Sequence, residues 1–360
     1  MKSRFRNAAA IALTAAVATT FVACGGSSDS SASGSSTSSS ANASATKIAA
    51  YDGVEAKLPT SFKEPTKKAG YTFVVGYPNP SAAVPALKAQ QDAVQAEVEK
   101  LGGKLITTDA NLSVQKQVSD FQQLLGQNVD AIILSALDPN SLTPLLKKAE
   151  AQGVKVYAND VPYKAGLPAI PGFSSTSLTG TDQAGYARAK YVAENYPGAK
   201  FALLGVGIPA PMLDYMVSSV KDWGTKFGLK YVDRVDAPTD SPEAATKAAS
   251  AILAKDKDVK VIFAATDSEA LGAAQAVKQS GRTDVIVIGN GGYKQGIEAV
   301  KKGALAATFW ENSRDLHKQL VWAAYNDLTK QNQPQAKQIV LGDGVLVTKD
   351  NADQIANPVG

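Results

Sequence analysis

From Tyr71 onward the chain repeats one unit, and few folds accommodate it: a short β-branched run, a polar turn, an amphipathic helix, then a glycine. Tyr71 to Tyr77 (YTFVVGY) reads as the first strand, and Val84, Leu87, Val94, Val98 and Leu101 then fall on one helical face before Gly102-Gly103. Spacings of three, four and seven are helical, and glycine past the last apolar residue supplies a left-handed turn. Leu105 to Thr107 is the next strand, and Val114, Val118, Phe121 and Leu125 line a helix closed by Gly126. Val129 to Ser135 (VDAIILS) has the unbroken apolar character of a central parallel strand. Asp138-Pro139 then suits an N-cap and first helical residue, with Gly153 closing that helix before the strand Val154 to Ala158. The rhythm restarts with strand-like runs at Phe201 to Leu204, Leu229 to Val232, Val259 to Ala264, Val285 to Ile288 and Leu305 to Phe309, with helices ending at Gly228, Gly281 and Gly303. Alternation of this kind means βαβ units and parallel sheets covered on both faces. Two runs of similar size predict two doubly wound α/β lobes, with the ligand beyond the carboxyl ends of the strands.

The N-terminal part has a different character. Lys2, Arg4 and Arg6 precede an apolar stretch, Ala8 to Val22, which is shorter than the ~20 residues a membrane-spanning helix needs. Phe21-Val22-Ala23-Cys24 then resembles the lipobox of exported bacterial lipoproteins, with Phe21 in place of the usual leucine. Residues 1–23 are therefore expected to be a lipoprotein signal and Cys24, the chain's one cysteine, a lipidation site. Residues 24–46 are a serine-rich tether without large apolar side chains; a coil of about twenty residues spans roughly 25 Å. The folded domain is expected over 47–360. Once Lys2, Arg4 and Arg6 leave with the signal, the 37 basic residues fall to 34 against 33 acidic ones. That balance gives no electrostatic footprint for nucleic acid.

Catalytic chemistry finds little support. The one histidine, His317, lies in a helical stretch (RDLHKQLVWAAYNDL) and reads as a surface or packed residue. No Cys/His cluster has metal-binding spacing, and neither a Walker A pattern nor a Gly-x-Ser-x-Gly elbow occurs. Gly289-Asn290-Gly291-Gly292 is the only glycine-rich loop and lacks the dinucleotide spacing. No cofactor, metal or catalytic residue is expected.

With these elements in order, the chain resembles the type I periplasmic binding proteins of the ribose/galactose-binding group, the solute receptors of ABC importers. The resemblance runs from about Tyr71 to Thr348. It is carried by FVVGYPNP, by Val129 to Leu134 followed by Asp138, and by Gly153 to Val156 leading to Asn159-Asp160. VIFAATDSEALG, VIVIG and KKGALAATFW carry it in the second half. The resemblance implies two lobes joined by a three-segment hinge. Crossings are expected near Ser177 to Thr181, near Glu311-Asn312, and near Leu341 to Gly344. Lobe one would comprise about 70–178 plus 312–341, and lobe two about 179–311 plus 342–360. Sugar-responsive repressors share this core, but their N-terminal helix-turn-helix is replaced here by an export signal and tether.

Carried over position by position, the resemblance points to Asn79 after the first strand and to Asn159 and Asp160 after the strand Val154 to Ala158. In the second half it points to Thr266 and Asp267, to Asn290, and to Trp310 and Glu311 at a crossing. Asp, Asn and Thr side chains suit hydroxyl pairs, and Trp310 offers a stacking face. Asp267 also reads as the N-cap of the following helix. Two arginines of ribose-type receptors are missing, with Val161 and Leu213 in their places; for Met212 and Tyr215, close to Leu213, helix packing is the expected role and facing the cleft the alternative. The resemblance implies a monomeric, lipid-anchored, extracytoplasmic receptor that takes a neutral sugar or polyol and serves an ABC permease. A nucleoside or signalling compound is the alternative ligand, and a membrane signalling protein the alternative partner.

Overall fold

The computed structural model describes residues 48–53, 60–164, 166–208, 210–340, 344–356 and 358, with no side-chain description for 338–340. The expected signal over 1–23, Cys24, the expected tether over 24–46 and most of the expected Leu341 to Gly344 crossing lie outside these residues.

Two six-stranded sheets organise the chain. The first contains β1 (Val74–Asn79), β2 (Lys104–Asp109), β3 (Ala131–Ser135), β4 (Lys155–Asn159), β5 (Ser175–Leu178) and β11 (Gln338–Val340), in the order β11-β5-β4-β3-β1-β2. The second contains β6 (Lys200–Val206), β7 (Lys230–Ala237), β8 (Val261–Ala264), β9 (Ile286–Gly291), β10 (Ala307–Trp310) and β12 (Val345–Val347), in the order β12-β10-β9-β8-β6-β7. All pairings are parallel except β10 with β12. Strand order reverses beside β1 in one sheet and beside β6 in the other, so each lobe is doubly wound with its own switch point.

The helices cover both faces. On the first sheet these are α1 (Pro85–Lys100), α2 (Val114–Leu125) and α3 (Thr143–Ala151). The second carries α4 (Thr181–Asn195), α5 (Pro211–Lys226), α6 (Pro242–Lys255), α7 (Asp267–Gln279) and α8 (Lys294–Lys301). The chain returns after β10 into α9 (Ser313–Thr329), whose Leu316, Leu320, Val321 and Tyr325 join Val75, Tyr77, Val94 and Ile133 in the core of the first lobe. A chain that leaves sheet one after β5, re-enters it through α9 and crosses again between β11 and β12 ties the lobes through three segments.

Local signals explain most boundaries. Gly102, Gly153, Gly228, Gly281 and Gly303 all have positive φ at helix ends. Gly126 does not: its φ is −81, and the left-handed residue of that turn is Asn128. Asp138 caps as expected but opens a short 3₁₀ turn, Pro139–Leu142, ahead of α3.

The segment before Tyr71 is structured on both lobes. The Tyr51 hydroxyl donates to Asp182 Oδ2 (3.0 Å), while Tyr215 Oη and Trp223 Nε1 donate to Asp182 Oδ1 (3.1 and 3.2 Å). Farther along, Phe62 is buried in the first lobe's core, and Asn326 Nδ2 donates to the carbonyls of Ser61 and Lys63 (3.0 and 2.9 Å). Tyr51→Phe removes one donor from Asp182 and should lower unfolding free energy by about 1 kcal/mol, readable in urea denaturation.

Candidate functional site

The carboxyl ends of both sheets face one cavity of about 160 Å³. From the first lobe, Pro80 follows β1, Ser135 and Leu137 come from the end of β3, and Asn159-Asp160 end β4. From the second, Val206 and Ile208 follow β6, Asp240 follows β7, Thr266 follows β8 and Tyr293 follows β9. This is the position that doubly wound topology reserves for ligand, here supplied twice over.

Asp160 and Asn159 are held by a local network. Asp160 takes φ 56, a left-handed conformation that aspartate tolerates better than most residues. Its Oδ1 accepts from the Thr179 amide (3.1 Å) and hydroxyl (2.7 Å), and its Oδ2 accepts from Asn159 Nδ2 (3.0 Å). Asn159 Oδ1 in turn accepts from Ser177 Oγ (2.8 Å). The carboxylate is thus fixed beside the first crossing. Burial pushes its pKa above the ordinary value, against the two Thr179 bonds that pull it down.

Across the cavity, Thr266 serves two roles. Its Oγ1 accepts from the Glu269 amide (3.2 Å), capping α7, and donates to Asp240 Oδ1 (2.6 Å). Burial raises the Asp240 carboxyl as well. The described residues that line the cavity include no lysine, arginine or histidine to set against these two carboxylates.

The remaining sequence candidates are placed elsewhere. Asn79 is fully buried and spent on its own turn: Nδ2 donates to Gln91 Oε1 (2.7 Å) and Oδ1 accepts from the Ser81 amide (3.1 Å). Asp267 is the first residue of α7 and not its cap, which is Thr266. Its carboxylate is sealed between Gly289 and Gly296, where a β-carbon on either glycine would strike it. There it accepts from the Tyr293 amide (2.6 Å) and Thr308 Oγ1 (2.5 Å). Burial pushes it up to about 7. Asn290 donates to the Ala265 carbonyl (3.2 Å) and is also buried. Trp310 packs on the second lobe's core and against Gly292, whose φ of +65 lets its backbone meet the indole. Glu311 lies close enough to the buried Arg188 to act on its charge. Asn79, Asp267, Asn290, Trp310 and Glu311 are not on the cavity wall; Asn159, Asp160 and Thr266 are.

Asp240, Tyr293, Ser135 and Gln90 line the cavity without having been singled out from sequence. Gln90 Oε1 is buried with no partner among the described residues. Of the two residues near Leu213, Met212 takes the cleft-facing alternative and lines the cavity, while Tyr215 turns to Asp182. His317 is a packed residue behind the floor: Nδ1 lies 2.9 Å from the Ser313 carbonyl, and Nε2 lies 3.0 Å from Ser135 Oγ. Those partners fit a neutral ring donating from Nδ1, and burial lowers its pKa to about 4.

The periplasmic binding protein domain model matches residues 75–332. The ribose import binding protein RbsB of Bacillus subtilis is 28% identical over 243 residues, covering 66% of this chain and 75% of that protein. The D-apiose import binding protein of Paraburkholderia graminis is 27% identical over 233 residues, covering 64% and 72%. Among solved structures, an ABC transporter solute-binding protein from Bacillus halodurans with bound myo-inositol superposes with TM-score 0.69 at 20% identity. It covers 80% of this chain and 98% of that one.

Proposed function

This chain belongs to the periplasmic binding protein domain family, and we propose that it captures a sugar or polyol between its lobes and delivers it to an ABC importer. The observation that carries this reading is the cavity at the carboxyl ends of two doubly wound sheets, with Asp160 and Asp240 on opposite lobes. Carboxylates accept from ligand hydroxyls. One carboxylate on each lobe lets a bound solute bridge the lobes and favour the closed arrangement by hinge motion. Import-protein relatives that are named for ribose and D-apiose support the solute class.

Cys24 anchors the mature chain outside the cytoplasm through its lipid, and residues 24–46 tether it. Lobe one comprises about 70–178 plus 312–341, and lobe two about 179–311 plus 342–360. Asn159, Asp160 and Thr266 contact the solute. Asn79, Asp267, Asn290, Trp310 and Glu311 support the loops and the crossing around them.

The test is a thermal-shift and calorimetry panel of pentoses, hexoses, polyols and nucleosides on the full chain carrying Cys24→Ser. Ligand at 100 times Kd should add about 2.7 kcal/mol of stability. Asp160→Asn keeps the shape but removes the charge, and should weaken binding by about ten- to a hundredfold. No binding by any sugar or polyol would overturn the reading. Acylation is checked separately by mass spectrometry of the wild-type N-terminal peptide.

A further inference from the structure

Resting on the solute-receptor reading, we propose that the preferred occupant is a carbohydrate carrying an apolar substituent, such as a deoxy sugar or a glycoside with an alkyl or aryl aglycone. The polar side chains on the described wall are Asn159, Asp160, Asp240 and Thr266 at strand ends, with Ser135, Gln90 and Tyr293; the other lining residues are apolar. Much of the second lobe's wall is the first turn and a half of α5 with the loop before it, where Ile208, Met212, Leu213 and Met216 line the cavity. Met212 and Met216 lie four residues apart on one helical face, and they are the only methionines after Met1. Facing them from the first lobe are Leu87, Leu112 and Leu137.

This division limits what can fill the cavity. A fully hydroxylated sugar would press some of its hydroxyls against Ile208, Met212, Leu213 and Met216, which offer no useful donor or acceptor. Each such unpaired hydroxyl would weaken binding by about tenfold. An apolar group there loses only water, and unbranched thioether side chains adapt their shape to it. Each buried methylene would strengthen binding by roughly fourfold. Acidic sugars are disfavoured by Asp160 and Asp240, which face the cavity with no basic side chain on its described wall.

The experiment is calorimetry of matched pairs on the full chain carrying Cys24→Ser. Each hexose and pentose is measured against its 6-deoxy, methyl-glycoside and phenyl-glycoside forms, with uronic acids and nucleosides alongside. At least one substituted member should bind about tenfold or more tighter than its parent. In the Met212→Gln, Met216→Gln protein, whose new side chains match the old in length and helix preference, that ratio should fall toward one. Melting of the ligand-free variant checks its fold, and the wild-type pairs decide the matter even if the variant fails to fold. Parents that bind as tightly as their substituted forms, or a ratio unmoved in a folded variant, would overturn the inference and leave the receptor reading standing. Binding confined to uronic acids would overturn the inference alone; binding confined to nucleosides, or none at all, would overturn both.

Discussion

Arg188→Met should lower the unfolding free energy by about 3–5 kcal/mol, the range for removing one member of a buried charged network. Arg188 is fully buried in α4. Its Nε donates to the Ala184 carbonyl (3.1 Å), Nη1 to that of Ala264 at the end of β8 (3.0 Å), and Nη2 to that of Met216 in α5 (2.9 Å). Burial lowers its pKa to about 10, partly offset by the carboxylates of Glu311 and Asp267, so the guanidinium stays charged at neutral pH. Methionine retains an apolar stem but leaves three carbonyls without this donor, and it strips Asp267 of a buried positive charge. Arg188→Lys should recover less than half of the loss, since one ammonium cannot span three acceptors with the fixed fork of a guanidinium. Urea denaturation at pH 7 reads both values; a loss below about 1 kcal/mol in the methionine variant would mean that water or repacking satisfies those carbonyls. Binding should weaken too, because the Met216 carbonyl held by Arg188 belongs to the α5 wall of the cavity.

Most of this architecture was legible because hydrophobic period and helix-terminal glycine act locally. The major strands and helices appear in order, and the fold expectation holds. Three short strands were not legible. β5 reads Ser-Thr-Ser-Leu and has no apolar run, yet all four residues are buried, because β4 and β11 pair on either side of it. Its polar side chains are satisfied from afar: Ser175 Oγ donates to the Ala336 carbonyl and Ser177 Oγ to Asn159. β11 and β12 likewise draw their identity from partners distant in sequence. β7 runs to Ala237, beyond the Leu229 to Val232 expectation, since an edge strand tolerates Asp233, Arg234 and Asp236.

The cavity was legible where a strand end carries its own polar residue, as at Asn159-Asp160 and Thr266. It was not legible at Asp240, whose neighbours Ser241 and Pro242 give an ordinary helix start and conceal its exposure to the cavity. Asn79 misleads for the opposite reason: a turn between Pro78 and Pro80 needs the same side chain that a sugar would. The missing arginine at Leu213 was visible as an absence, but the apolar wall it belongs to emerges only when α5 meets the loops of the other lobe.

Raising the pH from 7 to 9 should destabilise the wild-type protein by roughly 2–3 kcal/mol relative to Glu269→Gln, at about 1.4 kcal/mol per pH unit for one titrating group. Glu269 is fully buried in the capping sequence Thr266-Asp-Ser-Glu, where its Oε2 accepts from the Ala265 amide (3.1 Å). Its Oε1 has no partner among the described residues. Burial first, and the neighbouring Asp240 charge second, push it up to about 9. The native state therefore keeps this proton where the unfolded chain has released it near 4.5. The contribution is whole below 4.5, declines as pH rises, and is gone above 9. Asp267 follows the same direction from 3.8 to about 7, so it is spent before the measured window opens. His317 acts oppositely: held neutral down to about 4, its contribution is present above 6.5 and lost on acidification, outside the window. Glutamine keeps the acceptor for Ala265 and cannot ionise, so the two stability curves should diverge between pH 7 and 9. Parallel curves would mean that Glu269 is ionised throughout and solvated in a way its burial does not suggest.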